Sequence, residues 1–161
     1  SFALNAALGG AAHVTAVDVS ESAVEMARAN AARNGLTGAV DCVAANVFDL
    51  LPQLQKGQYD FIILDPPAFT KSRQTTRRAM AGYKEINYRA MRLLPRGGYL
   101  ATCSCSHFAT EELFRKMLHA AARDAGVQLR QIEARQQSAD HPILWGVEET
   151  SYLKFYLFQV V

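Results

Sequence analysis

Apolar and polar positions along this 161-residue chain fall into short blocks whose period switches between that of a strand and that of a helix. Ser1 to Leu8 reads as the back half of a helix ended by Gly9-Gly10, and His13 to Val17 as a short strand closing at Asp18. Ser20 then caps a helix with Ala23, Met26, Ala27 and Asn30 or Ala31 on one face, ending near Asn34-Gly35. Val40 to Ala44 is the next strand, Val47 to Leu54 a short helix, and Tyr59 to Leu64 a strand that breaks at Asp65-Pro66-Pro67. Beyond a polar loop, Tyr83 to Leu94 is a helix stopped by Pro95-Arg96-Gly97-Gly98. A strand from Tyr99 to about Cys103 follows, then a helix from Thr110 to Ala125 whose cap fits Thr110-Glu111-Glu112. A strand near Leu129 to Glu133, a polar loop carrying Asp140-His141-Pro142 and a last strand from Tyr152 to Val160 close the chain. A helix, repeated βα units and two final strands predict an α/β fold: a mostly parallel, doubly wound sheet with an antiparallel final strand.

A nucleotide-binding sheet of this kind opens with a strand and a glycine-rich loop, because glycine lets the backbone approach the ligand at that turn. This chain starts after both, so its residues 1–161 are expected to be a catalytic domain truncated at its N-terminus. The alternative is a fold that simply starts with a helix.

Composition narrows the setting. With half its residues apolar, the chain is one domain able to bury roughly two thirds of its unfolded surface. No apolar run approaches the roughly 18 residues of a membrane span, and no basic-then-apolar leader is present. Cys42, Cys103 and Cys105 make an odd number without metal-ligand spacing, which predicts a reducing cytoplasm, no disulfide framework and no metal. The net charge of +2 is too small to establish a polyanionic partner, so the distribution of charge matters more.

The candidate chemistry gathers at strand ends, where open α/β sheets bind ligands. The turn Asp65-Pro66-Pro67-Ala68-Phe69 presents a carboxylate, two stiffening prolines and a ring expected to be exposed. It resembles the substrate-base loop of S-adenosylmethionine (SAM) dependent methyltransferases acting on nucleic acids; a rigid connecting loop is the alternative. Asp18 can accept both ribose hydroxyls of a nucleoside cofactor or serve only as a helix cap, and Asn46 stands where such folds hydrogen-bond the adenine amino group. Thr102-Cys103-Ser104-Cys105-Ser106-His107 carries two thiols. Cys103 fits a core position, whereas Cys105, past the apolar part of the strand, can ionise among hydroxyls and attack carbon 6 of a pyrimidine. His107 either assists that thiol or begins the next loop. Between Phe69 and Ala81, Lys71, Arg73, Arg77 and Arg78 lie among small polar residues with Phe69 and Tyr83 at the ends, which suits phosphates and stacked bases. Asp140 and His141 are further candidates, explained nearly as well by a polar turn.

Together Asp65 to Phe69, Gly82-Tyr83-Lys84-Glu85-Ile86-Asn87, Ser104-Cys105-Ser106, Ala139-Asp140-His141-Pro142 and Tyr152-Leu153-Lys154 resemble the catalytic domain of the ribosomal RNA large subunit methyltransferase I family. The resemblance covers essentially the whole chain. It implies a Rossmann-like SAM-dependent methyltransferase fold and methylation of carbon 5 of a cytosine in 23S ribosomal RNA, in the cytoplasm. It implies SAM contact from Asp18, Asn46 and Asp65 and nucleophilic catalysis by Cys105. The residues themselves add Pro66 to the cofactor contacts, Asp65 to catalysis as a holder of the base, and Pro67, Phe69, Lys71, Arg73, Arg77 and Arg78 as the expected RNA contacts. Family members also carry an N-terminal RNA-binding PUA domain and a connecting domain. Asn46 stands where an acid is common, and Ala68 where other RNA cytosine methyltransferases carry a second cysteine. Three other readings stay open: methylation of a purine amine or ring nitrogen in RNA or DNA, a non-catalytic RNA-binding module, and, more distantly, a nicotinamide oxidoreductase. Pairing of two copies is also left open.

Overall fold

The computed structural model describes residues 2–69 and 72–161. Lys71, one of the expected RNA contacts, and Ser1, the expected start of the first helix, lie outside the described residues. The chain forms two compact units, Ser1–Gln53 and Leu54–Val161.

In the first unit α1 (Phe2–Leu8), β1 (Val14–Asp18), α2 (Glu21–Arg33), β2 (Val40–Ala44) and α3 (Val47–Leu50) follow one another. β1 and β2 pair in parallel, from Val14 opposite Val40 to Asp18 opposite Ala44. Val24 and Ala31 of α2 meet Val40 and Cys42 of β2 in a small core, flanked by Ala3, Leu4 and Ala7 of α1. Ser20 caps α2 as expected, its Oγ accepting from Ala23 N at 3.3 Å, and Gly35 leaves the helix at φ 68°. α3 is shorter than the expected run to Leu54. The chain tightens into a 3-10 turn at Leu51–Gln53, where Pro52 has no N–H to continue an α-helix.

In the second unit β3 (Phe61–Leu64), α4 (Thr76–Leu93), β4 (Tyr99–Ser104), α5 (Glu111–Ala125), β5 (Leu129–Arg135) and β6 (Lys154–Val160) build a sheet in the order β3-β4-β6-β5. β3 and β4 are parallel, while β6 runs antiparallel to both β4 and β5, as expected of a final strand. Among the described residues the strands pair as two sheets, β1-β2 and β3-β4-β6-β5. α4 and α5 pack together through Tyr83, Ile86, Ala90 and Met91 on one helix and Phe114, Met117, Leu118 and Ala121 on the other, all buried. Lys84 Nζ and Asp124 Oδ2, 2.5 Å apart, tie the helices at their surface.

The largest correction concerns α4. It starts at Thr76, not Tyr83, so Arg77 and Arg78 stand on its first turn instead of in a loop. Ala79 is buried one helical turn before Tyr83 and extends the apolar stripe, and arginine, methionine and alanine are all strong helix formers. Arg73 falls in a 3-10 turn, Arg73–Thr75, leading into the helix.

Candidate active site

The second unit brings two chain turns to one buried hydroxyl. β3 ends at Leu64 and the Asp-Pro-Pro turn follows, because neither proline can continue a ladder. Asp65 and Pro67 are exposed there, and Pro66 is half-buried. Next door, β4 ends at Ser104, and the chain passes through Cys105 into Ser106. Tyr83 rises from α4 between the two turns and is wholly buried. Its phenol oxygen accepts from Ser104 Oγ at 3.1 Å and from the backbone N–H of Phe69. Asn87, also buried, donates through Nδ2 to Tyr83 O at 2.8 Å, fixing the helical turn that carries the phenol. One hydroxyl thus holds the Asp65 turn and the Cys105 elbow in register.

Phe69 is not the exposed ring expected of it. It is half-buried, with its centroid 4.6 Å from that of Tyr83, which in turn meets Phe114 edge-on at 5.7 Å. Burial in this aromatic stack is worth more to two large rings than exposure at a loop end, so neither stands as a free stacking platform.

The two thiols separate as expected. Cys103 lies inside the β4 ladder and is 4% exposed. Burial pushes it up to about 12, aided by the nearby charges of Asp65 and Cys105, so it stays a neutral thiol at neutral pH. Cys105 is exposed, between Ser104 and Ser106, which are 0% and 2% exposed. The ladder ends one residue earlier, so the two-residue period that would turn both sulfurs to one face no longer applies. Tyr83 is pushed up first by its burial and then by the charges of Cys105 and Asp65. Asp65 and Cys105 therefore act on the same two groups, Tyr83 and Cys103, from one site.

Lys154, the first residue of β6, sits opposite Ser104 in the ladder and is only 8% exposed. Its Nζ donates to Ser106 O at 2.6 Å and to Tyr152 O at 2.8 Å. Burial pulls it down to about 8, against the charges of Cys105 and Glu111, which favour the ammonium. His107 is exposed and begins the loop to α5, with its ring edge-on to Phe108. Asp140 and His141 lie in the loop before β6 among their own partners. Ser138 Oγ bonds the Asp140 carboxylate, and His141 Nδ1 is 3.1 Å from the Tyr152 hydroxyl. The polar-turn explanation suffices for both.

In the first unit Asp18 ends β1 with an exposed side chain, and its Oδ1 accepts from Ser20 N at 2.8 Å. Asn46 precedes α3 and caps it, Oδ1 accepting from Phe48 N at 3.1 Å. Both residues serve as local turn formers, an alternative stated for Asp18 but not for Asn46, and both keep polar atoms at the surface. Sequence reasoning missed the roles of Tyr83 and Lys154. The sequence pattern suggests stacking for Tyr83, although its spacing with Ile86 and Ala90 puts it on the buried stripe; the signal for Lys154 is a lysine near the start of an apolar strand.

The family profile described as Methyltransferase domain matches residues 1–153. Over 163 aligned residues the chain is 40% identical to ribosomal RNA large subunit methyltransferase I of Klebsiella pneumoniae (strain 342), covering 99% of this chain and 41% of that protein. The protein of the same name from Pseudoalteromonas translucida (strain TAC 125) is 43% identical over 157 residues, 96% of this chain and 40% of the relative. The chain thus spans about two fifths of the length of these curated relatives. Among solved structures, SMU.776 complexed with SAH aligns with a TM-score of 0.80 at 23% identity, over 99% of this chain and 42% of that one. TrmN from Thermus thermophilus aligns with a TM-score of 0.63 at 21% identity, over 92% of this chain and 36% of that one. At these identities the structural likeness establishes the Rossmann-like fold of SAM-dependent methyltransferases, and with the profile match over 153 residues the chain belongs to the methyltransferase domain family.

Proposed function

We propose that this chain is the catalytic part of a SAM-dependent RNA methyltransferase that forms 5-methylcytosine in 23S ribosomal RNA, in the cytoplasm, with Cys105 as nucleophile. The observation that carries the reading is the Cys105 elbow: an exposed thiol between two buried serines, on the same buried hydroxyl as the Asp65 turn. The name shared by the relatives at 40% and 43% identity supports the RNA substrate.

The donor set suits a nucleoside methyl donor. Asp18 offers an exposed carboxylate already oriented by Ser20 N, which can accept from a ribose diol. Asn46 spends its oxygen on the α3 cap, so the group it best presents is the Nδ2 donor, which matches a ring nitrogen of adenine better than the amino group expected at first. For the second unit, the contacts to SAM that we propose are Asp65 and Pro66. Bound there, SAM supplies an electrophilic methyl group.

The chain's own part is to activate the base. The Cys105 thiolate forms a bond from sulfur to carbon 6 of cytosine, and the electron pair of the 5,6 double bond moves to carbon 5, which becomes nucleophilic. The Asp65 carboxylate accepts from the amino group of the base so that carbon 6 stays in line with sulfur. Once carbon 5 is methylated, water takes its remaining proton, the freed electron pair re-forms the 5,6 double bond, and the carbon–sulfur bond breaks to return the thiolate. Ala68 leaves no second thiol at that position to assist release. Arg77 and Arg78, both exposed on the first turn of α4, meet RNA phosphates.

The test uses the protein that carries this chain and RNA containing 5-fluorocytosine. Fluorine at carbon 5 cannot leave as a proton, so a covalent complex accumulates. Cys105→Ala is expected to abolish both the complex and methyl transfer while SAM binding persists, and Cys103→Ala to leave both intact. Full methylation by Cys105→Ala would replace the thiol mechanism with methylation of a base nitrogen held by the Asp65 turn. Absence of any transfer, with RNA still bound, would favour a non-catalytic RNA-binding module.

A further inference from the structure

We propose that Lys154 is a positioning residue for the nucleophile: its ammonium, held beneath the Ser104-Cys105-Ser106 elbow, stabilises the Cys105 thiolate. The inference rests on Cys105 being the reactive sulfur, as proposed above. Its geometric basis is the reach of Lys154 from the head of β6 to Ser106 O at 2.6 Å, one residue beyond the thiol. Ser106 O also accepts from Ala109 N at 3.2 Å, so the backbone turn has a neutral anchor without the lysine. A second neutral donor would have served the turn. A charged one, 8% exposed at the edge of an apolar sheet, calls for a different reason.

The charges around the elbow supply that reason. Tyr83 of α4 and Cys103 of β4 face Cys105 and are both pushed up by burial, hence neutral at pH 7. Asp65, after β3, acts on those two groups and opposes a second negative charge. Lys154 from β6 acts directly on Cys105 with the opposite sign, and Glu111 of α5 helps to keep it protonated. His107, Glu111 and Lys154 also line one cleft of about 570 Å³ with Arg135 and Tyr156. Tyr156 donates its hydroxyl to Glu111 Oε1 at 2.9 Å, which fixes the carboxylate beside the lysine. Without Lys154 a thiolate at position 105 would face a carboxylate and two neutral groups.

Alkylation of Cys105 by iodoacetamide tests this without RNA or SAM. The thiolate displaces iodide, forming a sulfur–carbon bond, and Cys42 and Cys103 are shielded by burial, so peptide mass reports Cys105 alone. In the protein that carries this chain, Lys154→Met is expected to slow alkylation severalfold at pH 7. At pH 10, where the lysine is itself neutral, the rates should converge. Lys154→Arg, which keeps a charge, should restore the rate at pH 7. If Lys154→Met does not fold, Lys154→Gln, which keeps a donor without the charge, is read by the same criteria. Equal rates at pH 7 in a folded neutral variant, or a slowing that persists unchanged at pH 10, would overturn the proposal. A pH-dependent alkylation effect combined with failed trapping by 5-fluorocytosine RNA would uphold the role of Lys154 and refute the cytosine reading; the reverse pair would do the opposite.

Discussion

Replacing Lys154 by methionine should change the stability of the fold in a way that depends on pH, with a sign fixed by burial. The ammonium titrates near 8 in the folded chain against 10.5 in an unfolded one. Between those values the unfolded chain holds the proton more tightly, so stability rises with pH across that window and falls as pH drops through 8. At about 1.4 kcal/mol per unit, the buried ammonium lowers stability at pH 7 by about 3 kcal/mol. Lys154→Met removes that burden, but Tyr152 O loses its 2.8 Å donor and Ser106 O its 2.6 Å one, a loss of about 1 kcal/mol that does not vary with pH. The variant should therefore be more stable than wild type by about 1–2 kcal/mol at pH 7, and the advantage should shrink by about 2 kcal/mol by pH 10. Tyr83 and Tyr156 are both pushed up, chiefly by burial. Urea unfolding of both proteins at half-unit steps from pH 7 to pH 10 measures the difference. A flat difference would show that the folded chain does not disfavour the ammonium, and the reasoning about a charge retained for chemistry would fail.

Tyr83→Phe keeps the aromatic stack but leaves Ser104 Oγ and Phe69 N without their shared acceptor, and should cost about 1–3 kcal/mol in urea unfolding; a change within about 0.5 kcal/mol would release the phenol from its bracing role. Arg77→Ala with Arg78→Ala should raise stability by about 0.3–1 kcal/mol per charge at low salt, because cations oppose the dipole at the start of α4. The same pair should weaken RNA binding and flatten its salt dependence by about 0.7–0.9 log units per lost phosphate contact, and an unchanged slope would make this turn a solvated surface. Cys103→Ala removes a sulfur from a packed ladder and should cost on the order of 1 kcal/mol by chemical unfolding, with methyl transfer retained; loss of transfer would mean that the buried sulfur takes part in the chemistry.

The residues that were legible in the sequence are those whose role is decided by neighbours along the chain. β2 occupies Val40–Ala44, Ser20 and Thr110 cap the helices that follow them, and the strand before Asp65 breaks where two prolines forbid its continuation. The opposite fates of Cys103 and Cys105 were also legible, because the apolar run stops between them. Where the reading failed, a contact distant in sequence had decided the matter. Phe69 and Tyr83 bracket a basic, polar stretch that looks like a loop, yet Tyr83 reaches 21 residues forward to Ser104 and draws Phe69 onto its ring. That packing is what makes Ala79 a buried position and lets α4 begin seven residues early.

Lys154 shows the same limit from the other side. A lysine at the start of a strand reads as an exposed edge charge, and only the antiparallel register that sets it opposite Ser104 turns it under the elbow, where Ser106 O lies 48 residues away in sequence. The motif that marked Ser104-Cys105-Ser106 as chemical and the one that ended in Lys154 are therefore two halves of one device. The first supplies an exposed sulfur on a fixed backbone, and the second a positive charge with little freedom to leave it. Burying that charge is unfavourable for the fold, and the neutral anchor at Ala109 N makes it unnecessary for the turn, which leaves the thiolate as the group that gains from it.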